Sequence, residues 1–569
     1  MVTMQRLLSV LCLLLLFPIL SFGQESVLRL DNYFTSGLFL NQQLIADTVL
    51  GGVPPANRVY ELERGGIYLA NASFRVNPGG TVRMRANDSA GVSRPVIFLW
   101  PRGGTTTPTL PPGNLFDMRG TLLDLKDLVI SGYFEPIDTN LYNLQGVLID
   151  VPAAGAGANI RIESCILTNS NGNHVRTTGA TGVISVRNSI FANMGYLGTS
   201  NLGAGKAIDL RDASQDSVIF VNNTFVNWQD RIIRHYSIPT PTLTGPTRFL
   251  KFEHNTLVNG MSYHGLLSLG TVGPRAIITN NLLIDPFSLG NDTDATRQSE
   301  FLSSLETDPY GGARMNWIFS TPNDITQWTI SNNYYAISDS GQAFYDEFAS
   351  AGVTGEGSPL TWHLNSKLGA DSVNAFTKIS IALNKIPAVM LNENRWYRSP
   401  TGGNKIKNTP ACGCWTGAYD YDRRGWKWYD DTLDCAYSTG SPAYTGAQGG
   451  YPVGDLNWFP DRYTQWLNDP ISDVSDQLVG LPNTFSLDQN YPNPFNPATT
   501  IAYSVPKTTR VRLEVFDLLG RSVGTLVDET KEAGNQSIVF DATHLASGVY
   551  FYRLTAAEFV LSHKMVLMK

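Results

Sequence analysis

Charge is scarce in this chain. Only 16% of its 569 residues are Asp, Glu, Lys or Arg, and the formal balance is -7. A mildly acidic chain has no general attraction for nucleic acid, so no nucleic-acid partner is expected, although a local basic patch is still allowed. Long apolar runs are missing too, with one exception. Leu7–Leu20 follows a basic Arg6 and precedes the small residues around Ser21-Phe22-Gly23. It is shorter than the roughly 20 residues a spanning helix needs. It reads as a secretory signal over residues 1–23, which leaves no transmembrane segment in the mature chain. Cysteine is sparse, with five in all, and Cys12 lies inside the signal. Cys412, Cys414 and Cys435 are near in sequence, and an oxidising compartment permits a disulfide between Cys435 and either of the others. Zinc is disfavoured, because Cys-x-Cys plus one further Cys lacks a clear fourth ligand. Cys165 reads as a small packed residue. Gly-rich phosphate loops, H-E-x-x-H and G-x-S-x-G are all absent.

What the chain does have is a repeat. Ile160–Asn169, Ile184–Asn193, Val218–Asn227, Leu250–Asn259, Ala276–Asp285 and Trp328–Ile337 share one pattern, with a weaker copy at Leu123–Ser131. Most copies alternate apolar and polar residues, turn at an Asn-rich pair, continue as a short strand and close on a polar residue. The copies start 24, 34, 32, 26 and 52 residues apart, a spacing that implies stacked coils. The long step, around Leu289–Asn323, holds either an unrecognised coil or a large loop. Aligned on the Asn pair, two apolar columns appear. One is Ile160, Ile184, Val218, Leu250, Ala276 and Trp328; the other is Ile162, Val186, Phe220, Phe252, Ile278 and Ile330. Period two puts both on one face, each residue about 4.8 Å from its equivalent in the next coil. The first residue of each pair (Ser164, Asn188, Asn222, His254, Asn280, Asn332) is expected to point inward and bond backbone and the neighbouring amide. Asn169, Asn193, Asn227, Asn259 and Asp285 form a second polar column.

The pattern resembles the right-handed parallel β-helix of the pectate-lyase-like superfamily over roughly residues 55–340. That likeness implies a fold and leaves the activity open, because the superfamily includes lyases, hydrolases, esterases, epimerases and non-enzymatic adhesins. Upstream, Arg58–Tyr68, Ala72–Val76, Thr81–Arg85 and Pro95–Leu99 read as short strands of the first coils and cap. Residues 25–55 carry no clear pattern. Beyond the repeats, Asp371–Leu383 admits a helix. Arg395–Tyr463 is dense in Trp and Tyr, which suits a cap over the C-terminal coils or aromatic platforms for sugar rings.

The tail opens with Tyr491-Pro492-Asn493-Pro494-Phe495-Asn496-Pro497 and continues through Val511–Leu519, Gly520-Arg521 and Gly548–Leu554 to a basic end, His563–Lys569. Its alternating short strands predict a small β-sandwich. It closely resembles the C-terminal sorting domain of the type IX secretion system of Bacteroidetes-like bacteria. The resemblance implies a partner in the secretion machinery and release, or surface attachment, beyond the outer membrane. The expected fold class is therefore all-β. A signal (1–23) precedes a right-handed parallel β-helix with its cap (24–346), an aromatic-rich capping region (347–480) and an Ig-like sandwich (481–569).

Chemistry is expected on the variable strand after each closing Asn. Aligning His174-Val175-Arg176, Lys206–Arg211, Arg231–His235 and His264–Leu267 places His174, Lys206, Arg231 and His264 in one column. Asp209 and Arg234 pair three residues on. Such a strip would span roughly 15 Å and suit an extended anionic polymer, with Gly195–Gly205 as a loop wall. It fits β-elimination on an acidic polysaccharide, which needs a neutralised carboxylate and a nearby base. Lys206 is the candidate base, provided burial or neighbouring cations depress its pKa. Arg231 is its catalytic companion, and Arg231 and Arg234 bind the uronate carboxylate bidentately. His174, Arg176, His235 and His264 complete the substrate contacts. The superfamily resemblance adds calcium as a candidate cofactor, with Asp209, Asp212 and Asp216 as candidate ligands lacking diagnostic spacing. Paired carboxylates for hydrolysis are not visible. The competing expectation is a non-catalytic surface adhesin whose charged strip consists of ordinary salt bridges.

Overall fold

In the computed structural model the described residues run from 25 to 568. They omit 101–111, 133–145, 196–204, 236–245, 291–316, 352–359, 361, most of 387–432, 472–484 and a number of isolated positions, Asp212 among them. The expected signal, Cys412, Cys414, most of the Trp-rich run and the tip of the Gly195–Gly205 loop therefore lie outside the described residues.

Three parallel sheets wind into a right-handed β-helix. The first sheet has ten strands, from Ser26–Leu30 to Gln327–Ser331. The second also has ten, from Ile67–Ala70 to Phe376–Lys378. The third has eight, from Phe74–Val76 to Ile318–Phe319. One coil shows the path: Ala158–Glu163 in the first sheet, Ile166–Ser170 in the second, Asn173–Thr177 in the third, then Thr181–Arg187 back in the first.

Both apolar columns stack as the sequence predicts. Ile160, Ile184, Val218, Leu250, Ala276 and Trp328 are successive pairing partners, and so are Ile162 through Ile330. The 52-residue step contains no extra coil, since Arg275–Thr279 pairs directly with Gln327–Ser331 and Leu267–Ser268 with Ile318–Phe319. Residues 291–316 of the insertion lie outside the described residues.

The Asn turn departs from expectation in which residue forms the inward ladder. The first residue of each pair takes the left-handed backbone, with φ between 51 and 63° from Ser164 to Asn332. Asn and Ser there relieve the local steric cost. It is the second residue that points inward and forms the ladder. Asn223 donates through Nδ2 to Asn255 Oδ1 (3.0 Å), Asn255 to Asn281 (3.0 Å) and Asn281 to Asn333 (2.8 Å). The same amides bond neighbouring backbone, so each buried polar group is satisfied. The second polar column does behave as predicted, with Asn259, Asn227, Asn193 and Asn169 bonding in series.

The ends are capped by elements the sequence pattern hid. Ser26–Leu30 pairs with Arg58–Leu62 as the outermost strand of the first sheet. A short helix, Leu40–Ala46, lays Leu40 and Leu44, both fully buried, on the first layer of the core. The helix expected at Asp371–Leu383 is not formed. Residues Gly369–Asn374 make a 3-10 turn, and Phe376–Lys378 adds a strand to the second sheet beside Asn333–Tyr335. The period-two run Ile379, Ile381, Leu383 explains this, because those side chains join a separate apolar cluster.

Within the described part of the aromatic-rich region, residues 433–466 lie against the side of the helix as a strap, while Leu360, Leu364 and Ala375 join the main core at its last coils. Strand residues of the first sheet alternate between two cores: Val218 and Phe220 face inward, while Ile219 and Val221 face outward. The outward set, with Val226, Val258 and Leu282 of the second sheet, is covered by Tyr437, Tyr451, Leu456 and Trp466. Cys435 is buried there as a free thiol, and Cys412 and Cys414, the partners an oxidising compartment would permit it, lie outside the described residues.

The C-terminal residues form an antiparallel sandwich of a three-stranded and a four-stranded sheet around Leu513, Tyr552, Ile501 and Met565. Among the described residues no helix is long and apolar enough to cross a membrane.

Candidate functional site

The third sheet positions the charged residues through a corner in its strands. Leu148 and Ile149, Ala207 and Ile208, Ile232 and Ile233, and Leu266 and Leu267 are adjacent in sequence, yet all pack in the same core. A flat strand sends neighbours to opposite faces, so the chain bends at each dyad. The bend leaves Lys206 and Asp209, three residues apart, on one outer side.

The register corrects the expected column. Lys206 pairs with Arg231, but its other neighbour is Asn173 and not His174. His174 falls in the apolar dyad position, level with Ala207. It is fully buried, 5.5 Å from the Phe191 ring, and burial holds its pKa down to about 3. Neither ring nitrogen has a hydrogen-bond partner among the described residues. It is a neutral core residue that cannot touch substrate. His235 is likewise inside, with Nδ1 near Leu269 O (2.8 Å) and Nε2 near Ala213 O (3.1 Å). Aligning the apolar dyads instead of the first basic residue would have given the correct register from sequence.

Two carboxylates organise the rest. Asp230, which sequence reasoning missed, is fully buried. It accepts from Lys206 Nζ at 2.7 Å and Arg231 Nε at 3.0 Å, and its other oxygen lies 2.6 Å from His264 Nδ1. Arg231 Nη1 also donates to Ser268 Oγ at 2.9 Å. His264 thus joins the group through its side chain and not through the column. Asp209, three residues after Lys206, meets Arg211 Nε (3.0 Å), Arg234 Nη1 (3.2 Å), Asn173 Nδ2 (3.2 Å) and Arg176 Nε (3.6 Å). The pairing of Asp209 with Arg234 and Arg176 follows the strand register.

Electrostatics follow from burial. Desolvation would raise both carboxyl groups, but the surrounding cations reverse this. Arg231, Lys206 and His264 hold Asp230 well below the usual range, and Lys206, Arg234, Arg211 and Arg176 hold Asp209 below it. Desolvation lowers Lys206 to about 8. Asp230 and Asp209 oppose that shift, and Arg231 and Arg234 add to it. The side chain of Lys206 is 5% exposed and that of Arg231 2%, whereas Arg234, Arg176 and Arg211 reach 18%, 33% and 38%. Approach from solvent is therefore by way of the three outer guanidinium groups.

Among the described residues no three carboxylate, His or Cys side chains gather to hold a metal ion. Asp209 is already enclosed by three guanidinium groups, which would repel a divalent cation. Asp216 is paired with Arg248, and Asp212 lies outside the described residues.

At the other end of the chain, residues 489–568 match the family described as the secretion system C-terminal sorting domain. This agrees with the resemblance read from the tail. The chain is thus exported by type IX secretion to the cell surface or extracellular space. No curated protein matches the chain.

Proposed function

We propose that this exported β-helix acts on an acidic polysaccharide, as a lyase of the pectate-lyase-like type, with the third sheet as its substrate face. The observation that carries the reading is Lys206, an amine whose pKa burial depresses to about 8, with Arg231 its register partner on the next strand. As a free amine Lys206 takes the proton from the carbon next to the uronate carboxylate. The C–H electron pair becomes a ring double bond, the glycosidic C–O bond breaks, and the departing oxygen takes a proton from water. Arg231 and Arg234 bind the carboxylate as charge builds on it, and Arg176 extends the contact along the chain. Asp230 orients Lys206 and Arg231 and is a positioning residue.

The near-complete burial of Lys206 and Arg231 favours a second reading, a non-catalytic glycan-binding surface protein in which these groups are structural and only Arg176, Arg211 and Arg234 meet ligand. One experiment separates the two. The secreted protein is incubated with pectate, alginate and glycosaminoglycans, and the ultraviolet absorbance of the unsaturated product is followed. The lyase reading expects product that disappears in Lys206→Ala and falls in Arg234→Ala. Product that survives Lys206→Ala combined with Arg231→Ala would overturn the site. Retained binding without product on any acidic glycan would establish the second reading.

A further inference from the structure

A separate cavity of about 570 Å³ lies at the C-terminal end of the first sheet. Its volume falls within the about 300–1,000 Å³ typical of small-ligand sites. The wall is Gln327–Ser331, the last strand of that sheet, which among the described residues pairs on one side only. Asn280 N donates to Ser331 O across that pairing. In a parallel ladder, alternate residues serve the two sides. The amide groups of Trp328 and Ile330 therefore point away from the sheet, toward the cavity they line.

The lining divides by chemistry. Trp328, Ile330 and Leu368 supply an apolar floor at the end of the helix core, and Trp328 and Leu368 are only partly buried there. Tyr334 also lines it, with its ring packed into the second cluster beside Gly446. The rim carries Asp371, Asn374 and Thr377, all exposed, from the 3-10 turn and the strand after it. No lysine, arginine or histidine lines the cavity among the described residues.

Hydroxyl and amide groups around an apolar, aromatic floor, with one carboxylate and no cation, repel uronates and suit a polyhydroxylated neutral ring. Such a ring has an apolar face to lie on aromatic surface and hydroxyls for the rim. We propose that this cavity binds a neutral sugar unit of a glycan, independently of the charged third-sheet face and of the reading given for it.

The test is calorimetric titration of the secreted protein with neutral trisaccharides of glucose, mannose, galactose and N-acetylglucosamine. The companion is Asp371→Ala/Asn374→Ala, both on the exposed rim and remote from the core. At least one neutral trisaccharide should bind, and the double variant should weaken it at least tenfold while Arg234→Ala leaves it unchanged. Circular dichroism of the double variant should match the parent. Absence of binding by every neutral trisaccharide would overturn the proposal, as would binding indifferent to the rim substitutions. Preferential capture of extended peptides along the open strand edge, abolished by the same variant, would overturn it too. Because the acidic-glycan assay reads a different face, either result stands without the other.

Discussion

Asp455→Asn should stabilise the strap at alkaline pH and leave it nearly unchanged in acid. Asp455 caps the short 3-10 turn Leu456–Trp458 and is 3% exposed. One oxygen accepts from Thr224 Oγ1 at 2.7 Å, and the other from the Asn457 backbone at 2.9 Å and its side chain at 2.6 Å. No cation is among its causes of shift, so burial raises its pKa from 3.8 to about 7. The folded state therefore binds the proton more tightly than the unfolded chain. The stability this gives is complete below about pH 4 and is lost as the pH rises through about 7. At ~1.4 kcal/mol per pH unit the loss is on the order of 4 kcal/mol. Asn mimics the neutral acid and escapes it; Thr224 Oγ1, which already accepts from Trp458 Nε1 at 2.9 Å, can turn to accept the new amide. Relaxation around the carboxylate reduces the expected gain at pH 8 to about 2–4 kcal/mol, against less than about 1 kcal/mol at pH 4.5. His254 lies against the same segment, with Nδ1 3.1 Å from Gly454 O and a pKa lowered to about 4. It acts with the opposite sign below about pH 6.5, and the parent–variant difference cancels it. Amide exchange over residues 433–469, corrected for intrinsic rate, measures the opening free energy. Equal protection of parent and variant at pH 8 would refute the argument, and so would a variant that opens more readily at both pH values.

Three further outcomes follow from the same geometry. Asp230→Ala leaves Lys206 and Arg231 buried without their shared carboxylate and should cost about 3–5 kcal/mol, read by guanidinium unfolding of the β-helix. Asn255→Ala breaks the ladder on both sides and strands buried groups at about 1–3 kcal/mol each, so the unfolding midpoint should fall well beyond that of an exposed Asn→Ala change such as Asn374. If Lys206 is the base, lyase activity should climb as the pH rises through about 8, because the amine must lose its proton; a flat profile from pH 6 to 9 would exclude it.

Legibility in the sequence tracked periodicity. The aliphatic columns were visible because each coil must repeat an inward residue at the same place, and the structure pairs every one of them. The asparagine turn was visible as a motif but its inward role was assigned to the wrong member, since both residues are Asn in three of the six copies and only backbone geometry separates the left-handed one from the inward one. The capping strand Ser26–Leu30 and the helix Leu40–Ala46 were illegible because each occurs once. The candidate site was half legible. Lys206, Arg231, Arg234 and Asp209 do come together, whereas His174 and His235 belong to the core. The error arose from aligning a basic residue where the apolar dyad carries the register. Asp230 sits in the turn before its strand, a position with no repeat to mark it.

Three buried aspartates show how the fold distributes charge. Asp209 and Asp230 on the third sheet stay ionised because arginines and a lysine surround them. Asp455 beneath the strap is driven toward its neutral form because nothing positive is near. Burying an ion costs several kcal/mol unless it is paired, and a hydrophobic dyad or an Asn would fill the third-sheet positions at less cost. Around Asp455 the strap side follows that economy, with amides and hydroxyls, although Lys251, buried on the outward face of the first sheet, is paired with Glu253 there. The third sheet does not. Around Asp209 and Asp230, with Asp150 beside Arg176 in the strand register, stand Lys206, Arg176, Arg211, Arg231 and Arg234, five cations to three carboxylates. A surplus of positive charge, maintained on one face of a chain whose overall balance is -7, calls for an anion from outside. That surplus is the electrostatic ground for placing the proposed acidic-glycan contact on the third sheet.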